Sequence, residues 1–223
     1  MVLPSKVPEL STLSVRDQSP SLDDLRFRAL LSDSDWERLP LATRQRFSKR
    51  LAGGETAVYV GVVEKASCSH IGWWLAQMAR AIGGPLPTGT ETEVPLVVTV
   101  TEDAATGGQV WTRVCARRNG FPQIIHSSKR FAGSTGLEEY VGYGVCMALR
   151  IFVDRSTLLF RSAGYFLQVR RRRLRLPAFL TPGDLTVTHT DLGTGEFRFT
   201  LEIVHPRFGK LISQSAVFRE ATP

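Results

Sequence analysis

The sequence predicts an α+β domain: a strongly curved antiparallel β-sheet, a half-barrel or barrel-like meander of about eight or nine strands, covered by N-terminal helices. Three observations carry this expectation. From Val94 onward the apolar period is two: Val94, Leu96, Val98 and Val100 alternate with Pro95, Val97, Thr99 and Thr101, the mark of a strand with one buried face. Further strand-like runs follow at short spacing as far as Glu220, joined by hairpin-length turns such as Asn119-Gly120. One segment has helical period instead, with Ile71, Trp74, Leu75, Met78 and Ile82 forming a single apolar stripe. The spacing predicts a helix packed onto the sheet.

Residues 1–20 contain Pro4, Pro8, Pro20 and several serines without an apolar stretch, so a flexible leader is expected there rather than a signal peptide. A single domain is expected over 21–223. Ser21 and Asp24 resemble a weak capping box. Leu22, Leu25, Phe27, Leu30 and Leu31 would then give the first helical face, interrupted by Ser32-Asp-Ser-Asp35. Trp36 to Pro40 starts a second short element. Leu41 to Leu51 reads as a basic helix with Phe47 and Leu51 on one side, ended by Gly53-Gly54.

Thr56 to Glu64, rich in Val and Tyr, reads as the first strand, and Cys68-Ser69-His70 opens the periodic helix. Next come strands at Val94–Thr101, Gln109–Arg117, Pro122–Phe131, Leu137–Tyr143, Cys146–Val153 and Leu158–Val169. Gly164 within the last of these predicts a bend or bulge. Pro177 and Pro182 bracket a non-strand link with one helical turn at Ala178–Leu180. Leu185–Thr190 and Glu196–Val204 form a hairpin. In the latter, Phe197, Phe199, Leu201 and Ile203 share one face. Lys210–Arg219 closes the domain.

A chain of 223 residues, 43% hydrophobic and 22% charged, can bury a sizeable core as one soluble domain. The 28 basic against 21 acidic residues give a net charge of +7. Much of the excess lies in one run, Arg170, Arg171, Arg172, Arg173 and Arg175, a candidate anion-binding patch that otherwise reads as a solvated hairpin tip. No apolar run approaches the roughly 20 residues of a membrane-spanning helix. Cys68, Cys115 and Cys146 are widely spaced and odd in number, which argues against a disulfide framework or zinc site and suits a cytoplasmic protein.

Several segments occur together in a recognisable order: Phe27-Arg-Ala-Leu-Leu with Trp36-Glu-Arg-Leu-Pro, Gly83-Gly-Pro-Leu-Pro-Thr-Gly before Val94-Pro-Leu-Val-Val-Thr-Val, and Trp111-Thr-Arg113 with Leu137-Glu-Glu-Tyr. Gly164-Tyr-Phe-Leu, Leu176-Pro-Ala-Phe-Leu-Thr-Pro and His205-Pro-Arg-Phe-Gly209 continue the series into the C-terminal half. In this order and spacing they resemble a bacterial family known only as domain of unknown function 4166. The resemblance implies no established activity. Members joined to reductase-like or thiol-oxidoreductase-like domains suggest a binding or accessory role.

Catalytic signatures are scarce. The four histidines (His70, His126, His189 and His205) lack metal-ligand spacing, and no nucleophile elbow, dinucleotide fingerprint or phosphate loop occurs. No cofactor or metal is expected. The candidate ligand site consists of polar and aromatic residues on or near strands built for burial: Trp74, Trp111, Arg113, His126, Ser128, Glu138, Glu139, Arg161 and Tyr165. If the sheet curls, such residues converge in its concavity beneath the helix Ile71–Ile82, as in small-molecule pockets. An Arg113–Glu138 or Arg161–Glu139 pair would orient a ligand head group; otherwise these are cross-strand ion pairs on the solvated face. The expected function is non-catalytic binding of an apolar or amphipathic small molecule or lipid. The alternatives are an interaction or accessory module for a reductase-like partner, and an enzyme using strand carboxylates. Nucleic acid is disfavoured, because the arginine run contains no interleaved aromatics.

Overall fold

The computed structural model describes residues 23–81, 83, 86–170 and 172–221. The expected leader, the Ser21 cap, Ile82 and Arg171 lie outside them.

The expected first helix is reduced to a 3-10 turn at Arg28–Leu30. Upstream of it, Asp23 forms a β-bridge with Lys49, and Asp24 N–H donates to the Ser48 carbonyl at 2.6 Å. The Asp24 carboxylate is gripped by Arg26 Nε and Nη2 at 2.8 and 2.7 Å, which holds this stretch extended and delivers Phe27 to the core. Ser32, expected to interrupt a helix, begins one. Its hydroxyl accepts from Asp35 N–H at 3.1 Å and caps α1 (Asp33–Arg38). Then α2 (Leu41–Ser48) follows Pro40 and buries Thr43 and Phe47.

The remainder is a sheet that closes on itself. Strand β1 (Thr56–Cys68) is followed by α3 (His70–Ala81), then β2 (Pro95–Asp103), β3 (Gly108–Cys115), β4 (Gln123–Arg130), β5 (Leu137–Gly142) and β6 (Val145–Asp154). Next come β7 (Thr157–Val169), the short β8 (Arg172–Arg175), β9 (Asp184–Gly193), β10 (Glu196–His205) and β11 (Gly209–Glu220). All ladders are antiparallel. β1 pairs with both β2 and β11, while β7 pairs with both β6 and β9, so ten of the eleven strands form a closed up-and-down barrel. Closure leaves no free edges among those strands. The half-barrel or barrel-like meander expected from the sequence is thus a closed barrel, with ten strands in the ring rather than eight or nine.

β8 lies outside the ring, paired only with the far end of β7. It is short and wholly exposed, with no alternation to reveal it. The predicted bend at Gly164 is present: the β6–β7 register shifts between Ala148 and Leu149, opposite Gly164, whose φ is +143°.

The barrel has two distinct ends. One carries the N-terminal segment and the 104–107, 131–136, 155–156 and 194–195 turns. There Phe27, Phe47, Phe131 and Phe160 meet edge-on or tilted, and His189 stacks on Phe197 at 4.9 Å. Arg46 lies over the Phe197 ring at 3.8 Å and completes the plug. The opposite end carries α3 with the chain after it, the 116–122 and 143–144 loops, the β7–β8–β9 excursion and the 206–208 turn.

Helix α3 covers the predicted range but is rotated about its axis: of the described stripe residues Leu75 packs against the core, whereas Ile71, Trp74 and Met78 are exposed. Gly72 and Ala76 are buried against β11, whereas Trp74 and Met78 are 65% and 69% exposed. A Cβ at Gly72 would collide with the Leu211 carbonyl, so close backbone approach selects the small residues for the contact and turns the large ones outward. The expectation of a core stripe through Trp74 is therefore corrected.

Candidate functional site

Because side chains alternate along each strand, one set from every barrel strand points inward. These residues do not fill the interior. They enclose a cavity of about 120 Å³ whose wall includes Leu96, Val98, Met147, Phe160, Leu201 and Phe218. At about 10–15 Å³ of such space per water molecule, this matches a small ring system or a short acyl chain. Phe47 closes it on the side of the N-terminal helices, and Leu86 and Pro87 border it on the other.

A charged group is set into this apolar wall. Lys129 of β4 and Glu139 of β5 are both buried, with Nζ and Oε2 3.3 Å apart in a cross-strand pair. Glu139 Oε1 accepts from the Ser127 hydroxyl at 2.6 Å, and Arg113 Nη2 lies 3.9 Å from the same oxygen. The Lys129 ammonium also sits 4.9 Å from the centre of the Trp111 ring, whose indole N–H donates to Gln109 at 3.2 Å. Burial pushes the Lys129 ammonium below its usual pKa, against the attraction of Glu139. Burial alone would raise the Glu139 carboxyl, but Lys129, Arg113 and Ser127 together hold it below the usual value. The site is thus two cations around one ionised carboxylate, a surplus of one positive charge within an apolar chamber.

Of the residues singled out from the sequence, Trp111, Arg113 and Glu139 converge in this chamber. His126 borders the wall but is itself exposed, alternating with buried Ile125 and Ser127. The Ser128 hydroxyl donates instead to Asp103 at 2.6 Å. Glu138 is buried beneath Arg173 of β8, with which it pairs, so neither expected ion pair forms: Arg113 meets Glu139, and exposed Arg161 meets Asp184 at 3.1 Å. The cause is alternation, since Glu138 and Glu139 must point to opposite faces. Tyr165 donates to the Gly183 carbonyl at 3.0 Å beside a separate surface cleft, and Trp74 faces solvent. Arg170, Arg172, Arg173 and Arg175 are exposed on the β7–β8 hairpin.

Lys129 and Ser127 are functional candidates the sequence reading overlooked. The signal was available: both share the register of Ile125, and a lysine on the apolar register of a strand has nowhere to go but inward. Among the described residues no cluster of His, Cys, Asp and Glu could hold a metal ion.

Fold and site define a class: a closed antiparallel β-barrel with an ion-paired chamber at its centre. The chain belongs to the family described as Domain of unknown function (DUF4166), whose model matches residues 39–218. That span includes every barrel strand, although β11 runs on to Glu220. No curated protein and no solved structure matches the chain.

Proposed function

We propose that the barrel binds a small amphipathic molecule, its apolar body against the chamber wall and its polar end at Arg113, Lys129 and Glu139. The observation that carries this reading is the buried ammonium–carboxylate pair beside unfilled apolar space. Burying an ion pair is a poor route to stability, because desolvation offsets the Coulomb attraction. A chamber with apolar walls and a few convergent polar groups is the usual form of a small-molecule site. The surplus positive charge favours a ligand ending in a single anionic group such as a carboxylate. A role for the strand carboxylates as general acid or base is less favoured, since Glu139 is held ionised between two cations and Glu138 is turned away from the chamber.

The test is a titration with the anionic fluorophore anilinonaphthalene sulfonate, in wild type and in Met147→Trp. Met147 is buried and borders the chamber, so a tryptophan there fills it. Saturable one-to-one binding, lost in Met147→Trp and competed by a medium-chain carboxylate such as decanoate, is the expected outcome. Equal binding by both folded proteins would place the dye elsewhere and overturn the reading.

A further inference from the structure

We infer that the α3 end of the barrel is a docking face for an anionic lipid surface. Among the described residues, the large aromatics that are most exposed all lie at this end: Trp73, Trp74, Phe121, Tyr143, Phe179 and Phe208. They come from separate segments, namely α3, the β3–β4 loop, the β5–β6 turn, the β8–β9 link and the β10–β11 turn. Topology alone brings them together. Met78 and Leu180 add aliphatic surface, at 69% and 61% exposure. At the opposite end Leu25 and Leu41 are exposed, and Phe152, at 38%, is the exposed aromatic there among the described residues.

Cations interleave with these tips. Arg80, Arg117, Arg170, Arg172, Arg175 and Arg207 are exposed at the same end, and none forms an ion pair among the described residues. Amphipathic aromatics beside guanidinium groups suit the headgroup region of a bilayer: rings enter the interface while cations meet lipid phosphates. Charge complementarity therefore selects an anionic surface. The aliphatic members distinguish this face from a nucleic-acid platform, where bases stack on aromatics and Met78, Ile71 and Leu180 would find no partner. No described helix is long and apolar enough to cross a membrane.

The docking face stands on its own observations; only its use in passing a ligand to the chamber rests on the function proposed above. Leu86 and Pro87, which follow α3, border the chamber, so the two share one stretch of chain.

Co-sedimentation with phosphatidylcholine vesicles, with and without phosphatidylglycerol, tests this. Wild type is expected to bind only the anionic vesicles, with affinity falling as salt rises. Arg172→Gln with Arg175→Gln should weaken binding about tenfold or more. Trp73→Ser with Trp74→Ser should remove the blue shift of tryptophan emission that vesicles induce, because Trp36 and Trp111 are buried. Both variants should still bind the fluorophore in the chamber, which separates failure of the docking face from failure of the ligand site. No binding to anionic vesicles at low salt, or binding unaffected by either pair of substitutions, would overturn the inference.

Discussion

Lys129 Nζ and Glu139 Oε2 lie 3.3 Å apart inside a closed barrel, both side chains at most 10% exposed. Removing one partner leaves the other charge buried and unmatched. Glu139→Gln, which leaves Arg113 and Lys129 facing each other, is expected to destabilise the protein by about 3–5 kcal/mol in urea unfolding. Lys129→Met combined with Glu139→Gln should recover much of that loss. A double variant no more stable than Glu139→Gln alone would show that the pair is hydrated rather than buried.

Trp111→Ala removes a buried ring that lines the chamber and packs against Phe199 at 6.0 Å, and should cost about 3–5 kcal/mol. Trp74→Ala should change stability by less than about 0.5 kcal/mol, since its ring is mostly solvated. Thermal or chemical unfolding of the two variants side by side checks the orientation of α3. A large loss for Trp74→Ala would mean that the helix presents its other face to the barrel.

That orientation marks where the sequence could and could not be read. Period-two alternation gave the inward faces of β2 and β10, because a barrel wall has one dry face and one wet one, and Phe197 and Ile203 are wholly buried. In β4 and β5 it did not separate Ser127, Lys129 and Glu139 from the neighbouring Ser128 and Glu138. The ten-strand closure was not legible, since it needs β1 to pair with β11 across almost the whole chain, a ladder that local patterns do not show. For α3 the apolar stripe misled at Ile71, Trp74 and Met78, although Leu75 does meet the core. Hydrophobicity ranked Trp74 above Gly72, but backbone proximity to Leu211 decided the packing. The site was half legible. Arg113, Trp111 and Glu139 stood out as polar or aromatic residues in strands, whereas Lys129 was overlooked as one basic residue among many.

Gly72→Ala should detach α3, because the added methyl meets the Leu211 carbonyl and backbone must shift. Faster amide hydrogen exchange confined to α3 and the first residues of β11, with the rest of the barrel protected, is the expected result. Unchanged exchange there would mean the contact has room to spare.

His189 is wholly buried at the plugged end, where its Nε2 accepts from Arg46 at 2.9 Å. Burial, and then the adjacent Arg46 charge, pushes its pKa from 6.5 down to about 3. Between these values the unfolded chain binds a proton that the folded chain refuses. Stability from this residue is therefore intact above the unfolded pKa and falls with pH through the window, by up to about 1.4 kcal/mol per unit. His189→Gln should flatten that part of the pH profile relative to wild type. Parallel profiles for the two proteins would contradict the buried neutral imidazole.

The claim that the barrel holds a small amphipathic molecule is tested most directly by native mass spectrometry of the purified protein, followed by denaturing extraction. Wild type should carry an added mass at one per chain, released on denaturation as an anionic amphiphile, and Met147→Trp should fly without it. Bare-chain masses for both proteins, before and after incubation with decanoate, would contradict the account.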